Sequence, residues 1–318
     1  MASYAVEAID LRKIFRTSVG KGFLRRETVA VKAVDGLTLR VSGGHIHSLV
    51  GPNGAGKTTT IKILATLLLP DSGKALVGGF DVVKESRRVR EIIGLVLAPD
   101  KGFYARLTGL ENLVYYGRLY GLSKGEAARR SRELLELVGL AGDGGRLYEE
   151  YSLGMKAKLS IAKALINDPS IIFLDEPTIG LDPLSARRIR QVIRDLASEG
   201  RTILLTSHNM WEVESLSNKV SLIKEGRIVA EGSPSDLKEK LSLSYRIEIE
   251  VLDPHGGVEG LSTTVGERGY PVISVETSQP SEELVKIMDR LRREGLKVGY
   301  VRVHEPGLEE VFEKVMTS

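Results

Sequence analysis

One stretch constrains this chain more than any other: Gly51-Pro52-Asn53-Gly54-Ala55-Gly56-Lys57-Thr58-Thr59, which fits the pattern G-x-x-x-x-G-K-[ST]. Residues 45–50 before it read as a short buried strand. After it, Ile61, Leu64, Ala65 and Leu68 recur at helical spacing, which predicts a helix over 59–69. Strand, glycine loop and helix is the setting in which this pattern acquires meaning. A polyphosphate needs many donors at close range. Gly51, Gly54 and Gly56 let the backbone turn its N–H groups inward with little side-chain bulk. The following helix adds unpaired N–H groups and the positive end of its dipole. Lys57 is long enough to reach the β- and γ-phosphates, and the Thr58 hydroxyl is a ligand for Mg²⁺. The stretch predicts nucleotide binding.

A second stretch supplies acid groups. Residues 170–174 read as a strand buried on both faces, ending in Asp175-Glu176. Two carboxylates there are costly unless a metal or a reaction uses them. Beside a phosphate loop, the first acid serves Mg²⁺ and the second can orient or deprotonate an attacking water. Residues 202–208 form another buried run, ending at His208 where ligands of α/β proteins collect. Tyr151-Ser152-Leu153-Gly154-Met155 opens an amphipathic helix with a hydroxyl, a glycine amide and a helix N-terminus, a second anion-binding design. One ATP cannot easily use both designs unless a second copy faces the first.

The rest of the chain frames these stretches. Residues 5–11, 29–34 and 37–41 read as strands. Residues 17–28, with Gly20, Gly22, Lys21, Arg25 and Arg26, read as a solvated loop. Phe15 sits where the first strand is expected to end and is either core or a platform for a stacked adenine. Residues 92–97 read as a strand. Thr108-Gly109-Leu110-Glu111 and Ser123-Lys124-Gly125-Glu126 are capping boxes. The second opens a helix with Ala127, Leu134, Leu135 and Val138 on its apolar face and Gly139 at its end. A helical insert over about 105–165 is expected within an α/β domain ending near 240. From 241 to 318 the pattern predicts a small α+β domain with strands at 245–251, 272–275 and 296–303, two helices and no chemical constellation.

Composition narrows the function. A net charge of +3 over 318 residues makes no case for nucleic acid. No cysteine is present, which excludes a disulfide framework and thiol chemistry. No signal-peptide layout opens the sequence, and no apolar run approaches the roughly 18 residues of a membrane span. Any membrane role is expected to come through a partner.

In order and spacing, these motifs resemble those of the ATP-binding subunits of ABC transporters, over residues 4–236. The expected fold is thus α/β, a P-loop NTPase of the ABC ATPase type with a helical insert. Residues 51–58 resemble Walker A and 171–176 Walker B. Gly180-Leu181-Asp182 resembles the D-loop, His208 the switch histidine, and Phe15 the adenine-stacking aromatic. The 151–155 stretch departs from LSGGQ but is similar to the YSxGM form of one exporter subgroup, and residues 305–312 resemble the end of daunorubicin-type drug-exporter ATPases.

The resemblance implies an ATPase using ATP and Mg²⁺. Phe15 and residues 51–59 (Gly51, Pro52, Asn53, Gly54, Ala55, Gly56, Lys57, Thr58 and Thr59) would bind nucleotide. Thr58 and Asp175 would hold the metal, and Glu176 and His208 would be catalytic. Ser152, Gly154 and Asp182 would meet the ATP of a second subunit. It also implies a homodimer or paired ATPase, a separate transmembrane permease and a place on the inner face of the membrane. One position departs: Ala98 stands where the Q-loop glutamine is expected, with Asp100 as a substitute. The alternative reading is a soluble ABC-type ATPase acting on a macromolecular assembly.

Overall fold

The computed structural model describes residues 4–21, 25–97, 102–240, 244–253, 262–266 and 268–317. The chain divides into two compact units, Met1–Pro234 and Ser235–Ser318.

The first unit opens with β1 (Tyr4–Lys21) and β2 (Arg25–Ser42), antiparallel from the Tyr4–Ser42 pair to the Lys21–Arg25 pair. The loop expected at 17–28 is therefore strand where described: Thr17 pairs with Val29, and Gly20 with Arg26. Ladder bonds come from the backbone, so a two-stranded ribbon forms without the apolar alternation that marks a half-buried strand. β3 (Ile46–Val50) leads into α1 (Lys57–Leu64). This helix is shorter than predicted, and Thr66 beyond it has a positive φ of 62°.

β4 (Ser72–Val77) and β5 (Phe80–Asp81) complete a four-stranded antiparallel sheet in the order β2-β1-β4-β5. α2 (Ser86–Ile92) takes Ile92, so the strand expected from 92 begins one residue later as β6 (Ile93–Val96). The insert follows as α3 (Gly109–Leu119), α4 (Lys124–Leu137) and α5 (Leu153–Ala164). Both capping boxes are present: Thr108 and Ser123 accept from the N–H of Glu111 and Glu126, whose side chains reach back. Ala127, Leu134, Leu135 and Val138 are all buried, and Gly139 leaves α4 with φ 71°.

β7 (Ile171–Asp175), α6 (Pro183–Ser198), β8 (Thr202–Thr206), α7 (Met210–Leu216), β9 (Lys219–Lys224) and β10 (Arg227–Gly232) finish this unit. A six-stranded sheet runs β10-β9-β3-β8-β7-β6, parallel from β9 to β6. Its faces are buried differently, as the two-residue period requires. Ile171, Phe173 and Leu204 join a core with α1 and the antiparallel sheet, through Ile61, Ile63, Leu64, Val6 and Leu39. Ile172, Leu174, Ile203 and Leu205 face a second core built with the insert helices and α6. α1 thus lies between two sheets, which is why residues around it are buried.

α8 (Pro234–Lys240) follows, and the second unit is a four-stranded antiparallel sheet with two helices. The strands are β11 (Tyr245–Val251), β12 (Ser262–Val265), β13 (Pro271–Thr277) and β14 (Val298–His304), in the order β12-β13-β11-β14. α9 (Pro280–Arg293) packs Ile287 and Leu291 on Ile247, Ile249, Val251 and Ile273, and α10 (Leu308–Thr317) follows. β12 escaped sequence reading because all four of its residues are exposed.

Candidate active site

The parallel register brings the chemistry together. Asp175 at the end of β7 pairs with Thr206 at the end of β8, and Thr206 pairs with Leu49 of β3. The loops leaving these three strands therefore open at one edge: 51–56, the Glu176 turn, and the turn around His208. This is the carboxyl edge, where open α/β sheets bind ligands.

The glycine loop is built tightly. Gly54 and Gly56 have φ of 80° and 106°. A Cβ on Gly56 would strike the Ala33 carbonyl oxygen, and one on Gly51 the Ile223 carbonyl oxygen. Gly56 also caps α1 with no side-chain bond, so the first N–H groups of the helix face the loop. Pro52, Asn53 and Gly54 are exposed at the tip, while Ala55 is buried beneath. Lys57 is 6% exposed, and its Nζ donates to the carbonyl oxygens of Gly51 (2.5 Å) and Pro52 (3.1 Å). Burial pushes its pKa down, offset by the charges of Glu176 and Asp175. Thr59 is half-buried on the helix.

Asp175 is held from both sides. Thr58 Oγ1 donates to its Oδ2 at 2.8 Å, and Thr206 Oγ1 donates to its Oδ1 at 2.6 Å. Thr206 Oγ1 also accepts from the N–H of Glu176 at 3.1 Å. Glu176 itself has a positive φ of 52°, uncommon for a side chain of this size. Its Oε2 accepts from the N–H of His208 at 3.2 Å. His208 Nε2 lies 3.0 Å from its Oε1, off the angle of a hydrogen bond, so Oε1 is buried without one. Burial pushes the Glu176 carboxyl up to about 7, against the pull of Lys57. Burial likewise lowers the His208 imidazole. A carboxyl that titrates near neutrality is suited to taking a proton from water.

Ser152, Gly154 and Asp182 form a separate patch. Ser152 caps α5 by accepting from the N–H of Met155 at 3.2 Å, and Asp182 caps α6 by accepting from the N–H of Ser185 at 2.9 Å. A Cβ on Gly154 would lie 2.8 Å from Ser185 Oγ, so these two helix starts are packed together. Neither Ser152 nor Asp182 hydrogen-bonds to the residues around Lys57. Phe15 pairs with Val31 in the hairpin and is 41% exposed, with Lys13 Nζ 5.9 Å from its ring. The ring is therefore not core. Ala98 and Asp100 lie outside the described residues.

Sequence reading missed two supports of this site, Thr206 and Glu212. Thr206 had a signal, a hydroxyl at the end of a buried strand. Glu212 did not, because Asn209-Met210-Trp211-Glu212 has the look of an exposed capping box, whereas the carboxyl is fully buried.

The ABC transporter family profile matches residues 34–179, from the hairpin through the Asp175-Glu176 turn. The daunorubicin resistance ATP-binding protein DrrA3 of Streptomyces coeruleorubidus is 38% identical over 287 residues, covering 88% of this chain and 90% of that one. The chain belongs to the ABC transporter ATP-binding family. The doxorubicin resistance ATP-binding protein DrrA of Mycobacterium tuberculosis (strain ATCC 25618 / H37Rv) is 34% identical over 312 residues, covering 95% and 92%. A solved ATP-binding subunit of an ABC transporter superposes with a TM-score of 0.62 at 28% identity, covering 74% of this chain and 93% of that one. The dimeric ATP-binding cassette MJ0796, bound to ADP and phosphate, has the same fold (TM-score 0.63, 24% identity, 72% and 98% covered). As a member of this family the chain is an ATP-binding, ATP-hydrolysing subunit of the ABC transporter type. Among the described residues no helix is long and apolar enough to cross a membrane.

Proposed function

We propose that this subunit powers export of a drug-like compound through a permease, from the inner face of the membrane, by hydrolysing two ATP molecules between paired cassettes. The convergence of Lys57, the Thr58–Asp175 pair and the Glu176–His208 pair at one sheet edge carries this reading. In it, Lys57 and the amides of residues 51–59 hold the phosphates, and Phe15 stacks the base. Hard oxygen donors suit Mg²⁺, which keeps water and phosphate oxygens as its other ligands. The Thr58 hydroxyl and Asp175 carboxylate fit such an ion, and among the described residues no cluster of three or more His, Cys, Asp or Glu could hold a metal by itself. When bound, the ion would neutralise charge on the phosphates.

Glu176 takes the proton of the attacking water. His208, held beside it, meets the γ-phosphate. Ser152, Gly154 and Asp182 serve the ATP of the facing subunit, which gives a purpose to a second anion-binding helix start that lies apart from the first. Export rather than work on a soluble assembly is supported by the resistance names of the relatives and the YSLGM stretch.

The test is Glu176→Gln. ATP binding is expected to persist while turnover falls about 10²- to 10⁴-fold, the usual contribution of a positioned general base. The same variant with saturating ATP and Mg²⁺ is expected to sediment as a dimer. Hydrolysis at the wild-type rate would remove Glu176 from its role, and a monomer under those conditions would count against the shared site.

A further inference from the structure

Glu212 is a buried carboxylate that the proposed chemistry does not use. It sits in the first turn of α7, where its N–H is capped by Asn209 Oδ1 at 3.0 Å. Its side chain turns inward rather than completing the box. Oε2 accepts two hydroxyl protons, from Ser207 at 2.7 Å and from Thr178 at 3.0 Å. Oε1 is buried with no hydrogen bond, 3.6 Å from Arg190 Nη1 on α6. The Arg190 guanidinium in turn lies over the Trp211 ring, 5.0 Å from its centroid.

These partners sit next to the reacting groups. Thr178 follows Glu176 by two residues, and Ser207 precedes His208. Ser207 Oγ also accepts from the N–H of Asn209 at 3.1 Å, so the turn that presents His208 is closed on an oxygen that Glu212 anchors. An apolar residue would fill the same space without the desolvation cost of a buried charge. It could not accept two hydroxyl protons from two different loops at once.

We propose that Glu212 is a positioning residue for ATP hydrolysis, clamping the loop that follows Glu176 to the turn that carries His208. This rests on the catalytic roles assigned above to Glu176 and His208. The Glu212 carboxyl accepts from Ser207 and Thr178, the neighbours of the reacting groups, and so acts through them. It sets the spacing at which Glu176 and His208 meet, and Arg190 extends the same clamp to α6.

The experiment measures steady-state hydrolysis, equilibrium ATP binding and thermal midpoint on the full chain for Glu212→Gln, Ser207→Ala and the double variant, with Glu176→Gln alongside. A displacement on the order of 1 Å at reacting groups costs as much as about 10²-fold in rate. We therefore expect kcat of Glu212→Gln to fall about 10- to 100-fold, with ATP affinity and thermal midpoint little changed. Ser207→Ala should lower kcat too, and the double variant should be no worse than the weaker single.

Retained kcat with a lowered thermal midpoint would make Glu212 a structural residue and overturn the proposal. So would lost ATP affinity at unchanged kcat, or additive effects of the two substitutions. If Glu212→Gln does not fold, Ser207→Ala decides alone, because a clamp requires it to lower kcat. Undiminished hydrolysis by Glu176→Gln would instead strike at the assignment of the base, so the two failures stay distinct.

Discussion

At the scale of single residues, backbone geometry and burial set what each position tolerates. Gly56 is the sharpest case: φ of 106° places it where an L side chain is strained, and its Cβ would meet the Ala33 carbonyl. Left-handed strain costs about 1–2 kcal/mol per residue, so Gly56→Ala should weaken ATP binding about 5- to 30-fold. Equilibrium titration with a fluorescent ATP analogue measures this. His47 on β3 is 1% exposed, with Nε2 2.8 Å from Ser221 Oγ, and burial pushes its pKa down to about 4. The unfolded chain, titrating near 6.5, binds the proton more readily. Stability from this group is therefore full above pH 6.5 and lost progressively as pH falls toward 4, up to about 3 kcal/mol. Between pH 7 and pH 5, urea unfolding should show wild type losing more stability than His47→Gln.

At the scale of elements, local signals and tertiary pairing contributed unequally. The capping boxes were legible because a hydroxyl and a glutamate three residues apart satisfy free N–H groups wherever they lie. Thr108→Ala should cost about 1 kcal/mol of stability in a denaturant titration, with α3 fraying at its start. Strands were legible where apolar residues alternate or run together, as in β7 and β8. They were hidden where pairing alone makes them, as at 17–21 and 25–28 of the hairpin and in exposed β12. Glu212 shows the same limit for a side chain. Its spacing from Asn209 spells a surface cap, and only the packing of α7 against α6 turns its carboxyl into the interior.

At the scale of the molecule, the two units carry separate cores: the first has one on each face of its six-stranded sheet, and the second has one beneath α9. Trp211, the sole tryptophan, reports on the first. ATP binds only that unit's folded form, so saturating nucleotide should raise the tryptophan-detected unfolding midpoint. At about 100 times Kd the gain is roughly 2.7 kcal/mol. Ile249→Ala, in the core of the second unit, should leave that midpoint in place while lowering the stability seen by far-ultraviolet circular dichroism. A single transition shifted equally by both would show that the units unfold as one.

What the sequence determined is the chemistry of contact. A phosphate loop needs its glycines, its lysine and its hydroxyl at fixed spacing along one turn, and Gly51 to Thr59 satisfies that locally. The tertiary structure decided which distant groups meet it. Asp175, Glu176 and His208 reach Lys57 and Thr58 only because β3, β8 and β7 lie side by side in one parallel register, a non-local pairing that no window of sequence contains. The same register buries Glu176 enough to lift its carboxyl toward neutrality, and it folds Glu212 inward. Residue types can be read along a chain, but their surroundings come from the strands laid beside them.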